Sequence, residues 1–330
     1  MTESITTPPV RFAEHSTTLR APVERAYALV ADVTRWPLLF APCVDARVID
    51  SHPGGERIRL WALAGGGVRS WTSRRELAED SLRVGFRTEH SAPPIASMAG
   101  YWQLEPPALA GGPARLVLGH EWTATDSSPE TQRWIAEAVD RNSEAEIASV
   151  RDWSERARTP AELVFSFTDR MSVNGPPAAV YAYLHRADLW PERLPHVERL
   201  ELTSEPASET TAGAEVQTIE MDTRTRGRST HTTRSVRLCF AGERITYKQT
   251  AVPRPLLAHC GEWRVSAVPG GTEVTARHSV VLDPLAVADH FGPDVTLVEA
   301  RRRVRAALGG NSLRTLERAR QHVEDGVSAA

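Results

Sequence analysis

Apolar and polar positions alternate with period two along most of this chain, as expected of strands with one buried face. Glycine and proline turns break the alternating segments, among them PGGE (53–56), AGGP (110–113) and PGGT (269–272). Two segments of alternation, Phe12–Arg20 and Leu163–Val173, each lead into a proline (Pro22, Pro176) placed for the first turn of a helix. A short second helix carrying Trp-Pro follows each time. Near residues 128–156 and again after Pro293 the apolar spacing changes to three and four. There, Ser128-Pro129-Glu130 reads as a helix cap, and Leu297, Ala300, Val304, Leu308, Asn311 and Thr315 share one helical face. The predicted order is strand, two helices, six strands and a long helix, twice over. Such a unit is α+β: a curved antiparallel sheet wrapped on a long helix, with a pocket between them.

The two rounds are copies. TLRAPVERAYALVADVTRWP (18–37) aligns with SVNGPPAAVYAYLHRADLWP (172–191) at an offset of 154, pairing Trp36 with Trp190. PPIASMAGYW (93–102) aligns with RPLLAHCGEW (254–263) at an offset of 161, pairing Gly100 with Gly261 and Trp102 with Trp263. RNSEAEIASVR (141–151) aligns with GNSLRTLERAR (310–320). Three matches in one order imply tandem duplication. The expected domains are 1–158 and 159–330, with Ala157–Glu162 as the joint, and each is long enough to bury a core.

Period-two reading places Trp71, Ser73 and Arg75 on one face of a strand. Met98, Gly100, Trp102 and Leu104 share another, and Leu116, Leu118, His120 and Trp122 a third. A buried arginine needs a partner or an aqueous cavity, so the pattern reads Arg75 either as a pocket residue or, with Arg74 beside it, as an ordinary solvated strand arginine. Asn142 and Asn311 are expected on the inner faces of the long helices. In the second copy the same reading puts His231, Thr233 and Ser235 where Trp71, Ser73 and Arg75 stand, with Arg234 turned away. His259 replaces Met98, and His278 matches His120. The second pocket is therefore expected to be richer in histidine and to lack the arginine. Three histidines can bind zinc, but nothing fixes their spacing, and hydrogen-bonding or proton-transfer roles fit better.

Bulk properties add exclusions. With 330 residues, 39 basic and 42 acidic, the formal charge is −3, which gives no pull toward nucleic acid or an anionic membrane. The three cysteines (Cys43, Cys239, Cys260) form no Cys-x-x-Cys pair, so neither a disulfide framework nor a zinc knuckle is expected. The polar N-terminus has no apolar signal core and no run is long enough to span a membrane, so a cytoplasmic protein is expected.

At RWPLLF (35–40), WTSRR (71–75) and MAGYW (98–102) the chain resembles the aromatase/cyclases of bacterial type II polyketide synthases, and its two copies resemble their di-domain subclass. These belong to the helix-grip superfamily of START and Bet v 1-like proteins. The resemblance implies intramolecular aldol cyclisation, of the first ring, and dehydrative aromatisation of a poly-β-ketone carried by an acyl carrier protein. It implies other synthase components as partners and no metal or redox cofactor. It implies a substrate pocket of Trp36, Trp71, Met98 and Trp102 in the first copy; the repeat and the alternation put Trp190, His231, Thr233, His259, Trp263 and His278 around the corresponding pocket of the second. Arg75 would stabilise charge on the attacked carbonyl, Ser73 would relay a proton or hold a water, and His120 would serve as acid/base for dehydration. A tyrosine of some members falls at Cys43. The arginine run 301–303 with Arg305 is a candidate surface for an acidic carrier protein. The alternative is a non-catalytic carrier of a lipid or other apolar molecule.

Overall fold

A computed structural model describes residues 9–109, 111–224 and 230–328. The N-terminal segment, Ala110 of the AGGP turn and Ser229 before the second arginine-bearing strand lie outside the described residues. The chain divides into two compact units, Met1–Thr159 and Pro160–Ala330.

In the N-terminal unit, β1 (Arg11–Leu19), α1 (Val23–Ala31) and α2 (Trp36–Leu39) precede β2 (Cys43–His52), β3 (Gly55–Ala64), β4 (Gly67–Ala78), β5 (Arg83–Thr88), β6 (Ile95–Glu105) and β7 (Ala114–Ala124), and α3 (Pro129–Ser154) closes the unit. The sheet is antiparallel in the order β1-β7-β6-β5-β4-β3-β2. Helix α3 packs across β1 and β7. It starts where Ser128 Oγ accepts the amide of Thr131 at 3.2 Å, with Pro129 at the first helical position. Ile135 and Val139 from α3 meet Trp122 and Ala124 in one core cluster, with Met98 against it.

The C-terminal unit repeats this. After α4 (Pro160–Leu163) come β8 (Val164–Val173), α5 (Pro177–His185), α6 (Trp190–Arg193), β9 (Val197–Glu205), β10 (Glu215–Arg224), β11 (Thr230–Phe240), β12 (Arg244–Ala251), β13 (Leu256–Val268) and β14 (Gly271–Leu282). The strand order is β8-β14-β13-β12-β11-β10-β9, the same topology. Its core joins Leu184, Ile245, Trp263 and Leu316.

Three expectations are corrected. Pro293 does not open the last helix. A helix α7 (Pro284–Phe291) intervenes, and α8 (Leu297–Ser328) begins where Thr296 Oγ accepts the amide of Glu299 at 3.2 Å, because a side-chain acceptor can cap orphan amides and proline cannot. Pro22 and Pro176 stand just outside α1 and α5, as their caps. Asn142 is exposed and Asn311 only half-buried, and the next residue along each helix, Ser143 and Ser312, is the buried one. One residue along a helix is a turn of 100°, enough to exchange an inner position for an outer one.

Two glycines set how closely aromatic rings approach the sheet. A Cβ on Gly100 would stand 2.2 Å from the carbonyl oxygen of Gly119 and 2.4 Å from the Phe86 ring. A Cβ on Gly261 would stand 2.2 Å from the Tyr247 hydroxyl. Gly100→Ala therefore has to move backbone, and we expect a loss of about 1–3 kcal/mol in thermal unfolding. An unchanged midpoint would show that the ring does not lie on the glycine.

Candidate active site

Cross-strand neighbours share a face, so the ladder defines what lines the inside of each sheet. In the N-terminal unit one row runs Glu56, Arg75, Phe86, Gly100, His120 and Ala13 through five successive pairings. Arg75, only 2% exposed, is clamped at one end of this row. Its Nη1 donates to Glu56 Oε1 at 2.7 Å and to the Ala31 carbonyl at 3.2 Å, and its Nη2 donates to the Val30 carbonyl at 2.6 Å. The guanidinium also lies over the Trp36 ring, 5.1 Å from its centroid. The acceptors are carbonyls at the end of α1, where the helix dipole is negative and a cation is favoured. Burial pulls the guanidinium pKa down while Glu56 holds it up, and an arginine stays charged. Three of five N–H donors are used, and among the described residues nothing accepts its Nε–H. Ser73 is buried beside it, and Trp71 is half-buried two residues further.

Three strand spacings away, about 14 Å by backbone, His120 is held by α3. Its Nδ1 lies 3.2 Å from Ser143 Oγ, and Phe86 stands edge-on at 5.4 Å between centroids. Burial first, and His15 second, lower its pKa to about 4, so it is neutral at pH 7. One helical turn beyond Ser143 is Glu146, whose carboxyl finds no partner among the described residues and is pushed by burial up to about 7. Sequence reading passed over Glu146. The available signal was its spacing of three from an inward serine, which puts both on one face. Trp36 donates its indole N–H to the Leu29 carbonyl at 3.2 Å, and Met98 packs on the Trp122 cluster. Trp102, 2% exposed, is enclosed in the core.

The second unit overturns one expectation: the arginine is not lost. The corresponding row is Gln217, Arg237, Tyr247, Gly261, His278 and Phe167. Arg237 donates to Gln217 Oε1 at 2.9 Å and to the Leu184 carbonyl at 2.8 Å, and lies 5.1 Å from the Trp190 ring centroid. Residue for residue this is the Arg75 clamp. Thr233, Ser235 and Arg237 match Trp71, Ser73 and Arg75, two residues later than alternation suggested. A slip of two residues keeps every side chain on its face, so period two cannot detect it, and only the hydrogen-bond ladder does. Thr233 donates to the Met221 carbonyl at 3.5 Å. His259 and His278 come together, whereas no contact joins His231 to them among the described residues. Trp263 belongs to the packed core.

The arginine run on α8 is largely spent within its own unit. Arg303 pairs with Glu299 at 2.9 Å, Arg305 pairs with Asp169 and stacks on Phe167, and Arg301 donates to the Glu162 carbonyl. No helix among the described residues is long and apolar enough to cross a membrane.

A seven-stranded antiparallel sheet gripping one long helix, with an arginine, a histidine and aromatic rings on its inner face, defines a helix-grip ligand domain, here present twice. Family profiles described as polyketide cyclase/dehydrase and lipid transport match residues 19–145 and residues 164–324. The chain is 43% identical over 316 residues to the granaticin polyketide synthase bifunctional cyclase/dehydratase of Streptomyces violaceoruber, covering 96% of this chain and 95% of that one. It is 44% identical over 310 residues to the actinorhodin counterpart of Streptomyces coelicolor, covering 92% and 94%. The crystal structure of the di-domain ARO/CYC BexL from the BE-7585A biosynthetic pathway superposes with a TM-score of 0.79 at 41% identity, covering 95% of this chain and 99% of that one. The chain thus belongs to the polyketide cyclase/dehydratase family, as a di-domain aromatase/cyclase. It is an enzyme of aromatic polyketide biosynthesis, and the reading as a non-catalytic carrier gives way.

Proposed function

We propose that the N-terminal unit folds and closes the first ring of a poly-β-ketone presented on the phosphopantetheine arm of an acyl carrier protein. The single observation that supports this is the row from Arg75 to His120, with a charged donor at one end and a neutral base at the other. A chain laid along the row between Trp36, Trp71 and Met98 would be held in one folded form, and such positioning lowers an intramolecular barrier by several kcal/mol. His120, neutral at pH 7, takes the proton from the methylene that becomes the nucleophile. Arg75 donates its Nε–H toward the attacked carbonyl as negative charge develops there, with Ser73 holding a water beside it. Glu146, poised near neutrality, protonates the new alkoxide.

The test is reconstitution with the matching ketosynthase and loaded carrier protein, comparing wild type with Glu146→Gln and His120→Phe. Each variant should cut the cyclised product about 100-fold and raise shunt products, while the circular dichroism spectrum stays the same. Wild-type product distributions from both variants would remove the assignment.

A further inference from the structure

The two rows differ at three positions: Gln217 stands for Glu56, Phe167 for Ala13 and Tyr247 for Phe86, the last pair each lying over a glycine. The added hydroxyl changes what surrounds it. Tyr247 Oη lies 3.1 Å from His278 Nδ1 and 3.5 Å from His259 Nε2. His259 Nε2 is 2.9 Å from His278 Nδ1, and the rings stack at 5.2 Å. His259 Nδ1 meets Gln249 Oε1 at 3.0 Å, and His278 Nε2 meets Ser312 Oγ at 2.7 Å. The first unit keeps only the histidine–serine pair of this network, since Met98 and Phe86 fill the places of His259 and Tyr247.

The protons of the network can be assigned from one end. Gln249 Oε1 can only accept, so His259 donates from Nδ1 and accepts at Nε2. His278 then donates from Nδ1, and its Nε2 accepts from Ser312. The hydrogen on His278 Nδ1 is thereby shared between His259 and the Tyr247 oxygen. In the first unit the serine meets Nδ1 instead, so this donor is not presented there. Both histidines are 3% exposed, whereas Tyr247 is only partly buried and is the open end of the network. On its other side along the row stands Arg237. Burial holds the Tyr247 phenol above its ordinary pKa while Arg237 opposes that shift, so the group rests protonated, a proton donor set between a cation and a fixed imidazole N–H that take up the charge as the proton leaves.

We propose that the C-terminal unit is a second, separate catalytic site, in which Tyr247 is the acid and base that eliminates water from a cyclised β-hydroxy ketone. This rests on the polyketide reading above. Tyr247 gives its proton to the departing hydroxyl as the C–O bond breaks. The phenolate takes the proton α to the ketone as that C–H bond breaks and the C=C bond forms. Water leaves, the phenol is restored, and no oxidant or reductant is consumed. Arg237 and His278 stabilise the phenolate, and His259, Gln249 and Ser312 are positioning residues that hold His278 in the required tautomer.

The first unit supplies variants with native counterparts: Tyr247→Phe, as at Phe86, and His259→Met, as at Met98. In the full chain, supplied with carrier-bound poly-β-ketone, Tyr247→Phe should slow dehydration at least 100-fold and accumulate the cyclised hydroxy ketone, with ring closure at the wild-type rate. His259→Met should slow dehydration by a smaller factor, and His259→Gln, whose amide oxygen can accept from His278 Nδ1, should recover most of it. A purely structural role would instead lower the unfolding midpoint in parallel with the rate and give no recovery. Dehydration by Tyr247→Phe at the wild-type rate, with ring closure intact, overturns the inference alone. A wild-type protein that neither cyclises nor dehydrates overturns the polyketide reading and this inference with it.

Discussion

Arg75→Ala is expected to cost the N-terminal unit about 3–5 kcal/mol, beyond abolishing cyclised product, because it breaks a buried ion pair from one side. It strands the Glu56 carboxylate, 9% exposed, and leaves the Val30 and Ala31 carbonyls without their donor. For a unit of this size the thermal midpoint should fall by about 10 °C or more. Arg237→Ala in the other unit should cost less, about 1–3 kcal/mol, because its partner Gln217 is neutral and no charge is left behind. Glu56→Gln recreates in the first unit what the second already has, so it should stay folded and lose less than about 1.5 kcal/mol. Calorimetry on the three variants decides the matter. An Arg75→Ala protein that melts like wild type would mean that the clamp holds nothing. The clamp also makes Arg75→Ala a poor probe of chemistry by itself, since loss of product and loss of fold coincide. Glu56→Gln separates them by keeping the guanidinium in place and altering only its charge balance.

Acid should unfold the C-terminal unit first. Burial lowers His278 to about 4, and burial with the neighbouring His278 lowers His259 further from the ordinary value of 6.5. A histidine whose folded pKa lies below its unfolded one is protonated preferentially in the unfolded chain. Its contribution is therefore intact above about pH 6.5 and is lost as pH falls toward 4. For His278 the loss approaches about 3 kcal/mol, and His259 adds to it in the same direction. The N-terminal unit carries the same liability at His120, but Glu146 acts oppositely. Raised to about 7, Glu146 holds its proton better in the fold, so acidification from 7 to 4.5 returns stability there. Unfolding followed from pH 7.5 to 4.5 should therefore separate into two transitions, the C-terminal one falling faster. His259→Met should bring them closer together. Two transitions that stay together across this range, or an unaffected variant, would contradict the burial of the histidine pair.

Much of this was legible in the chain as written. The offset blocks around Trp36 and Trp190 exposed the duplication. Alternation placed Trp71, Ser73 and Arg75 on one face, and the motif residues pointed to the family. The inner-face serines and Glu146 were less legible because a helical face is blurred by a single residue of phase. His278 and His259 were each turned inward by pattern, and the PGGT turn joins β13 to β14, but their meeting depends on the register of that pair, which sets His259 opposite Val280 and His278 opposite Gly261 and so leaves the two rings diagonal neighbours.

What the sequence by itself determined is therefore the local and periodic part: two copies, the order of their strands and main helices, and which strand side chains face in. Those follow from residue preferences and from periods of 2 and 3.6, which are properties of neighbours along the chain. What only the tertiary structure decided is register and environment. Arg237 answers Arg75 because each lies opposite the residue that binds it, Gln217 or Glu56, in the register of its strand pair, and beneath a helix that offers its terminal carbonyls. A two-residue slip leaves the alternation unchanged, so nothing along the strand could report it. Glu146 near neutrality, and a phenol set between a guanidinium and an imidazole, likewise arise from segments far apart in the chain that exclude water together.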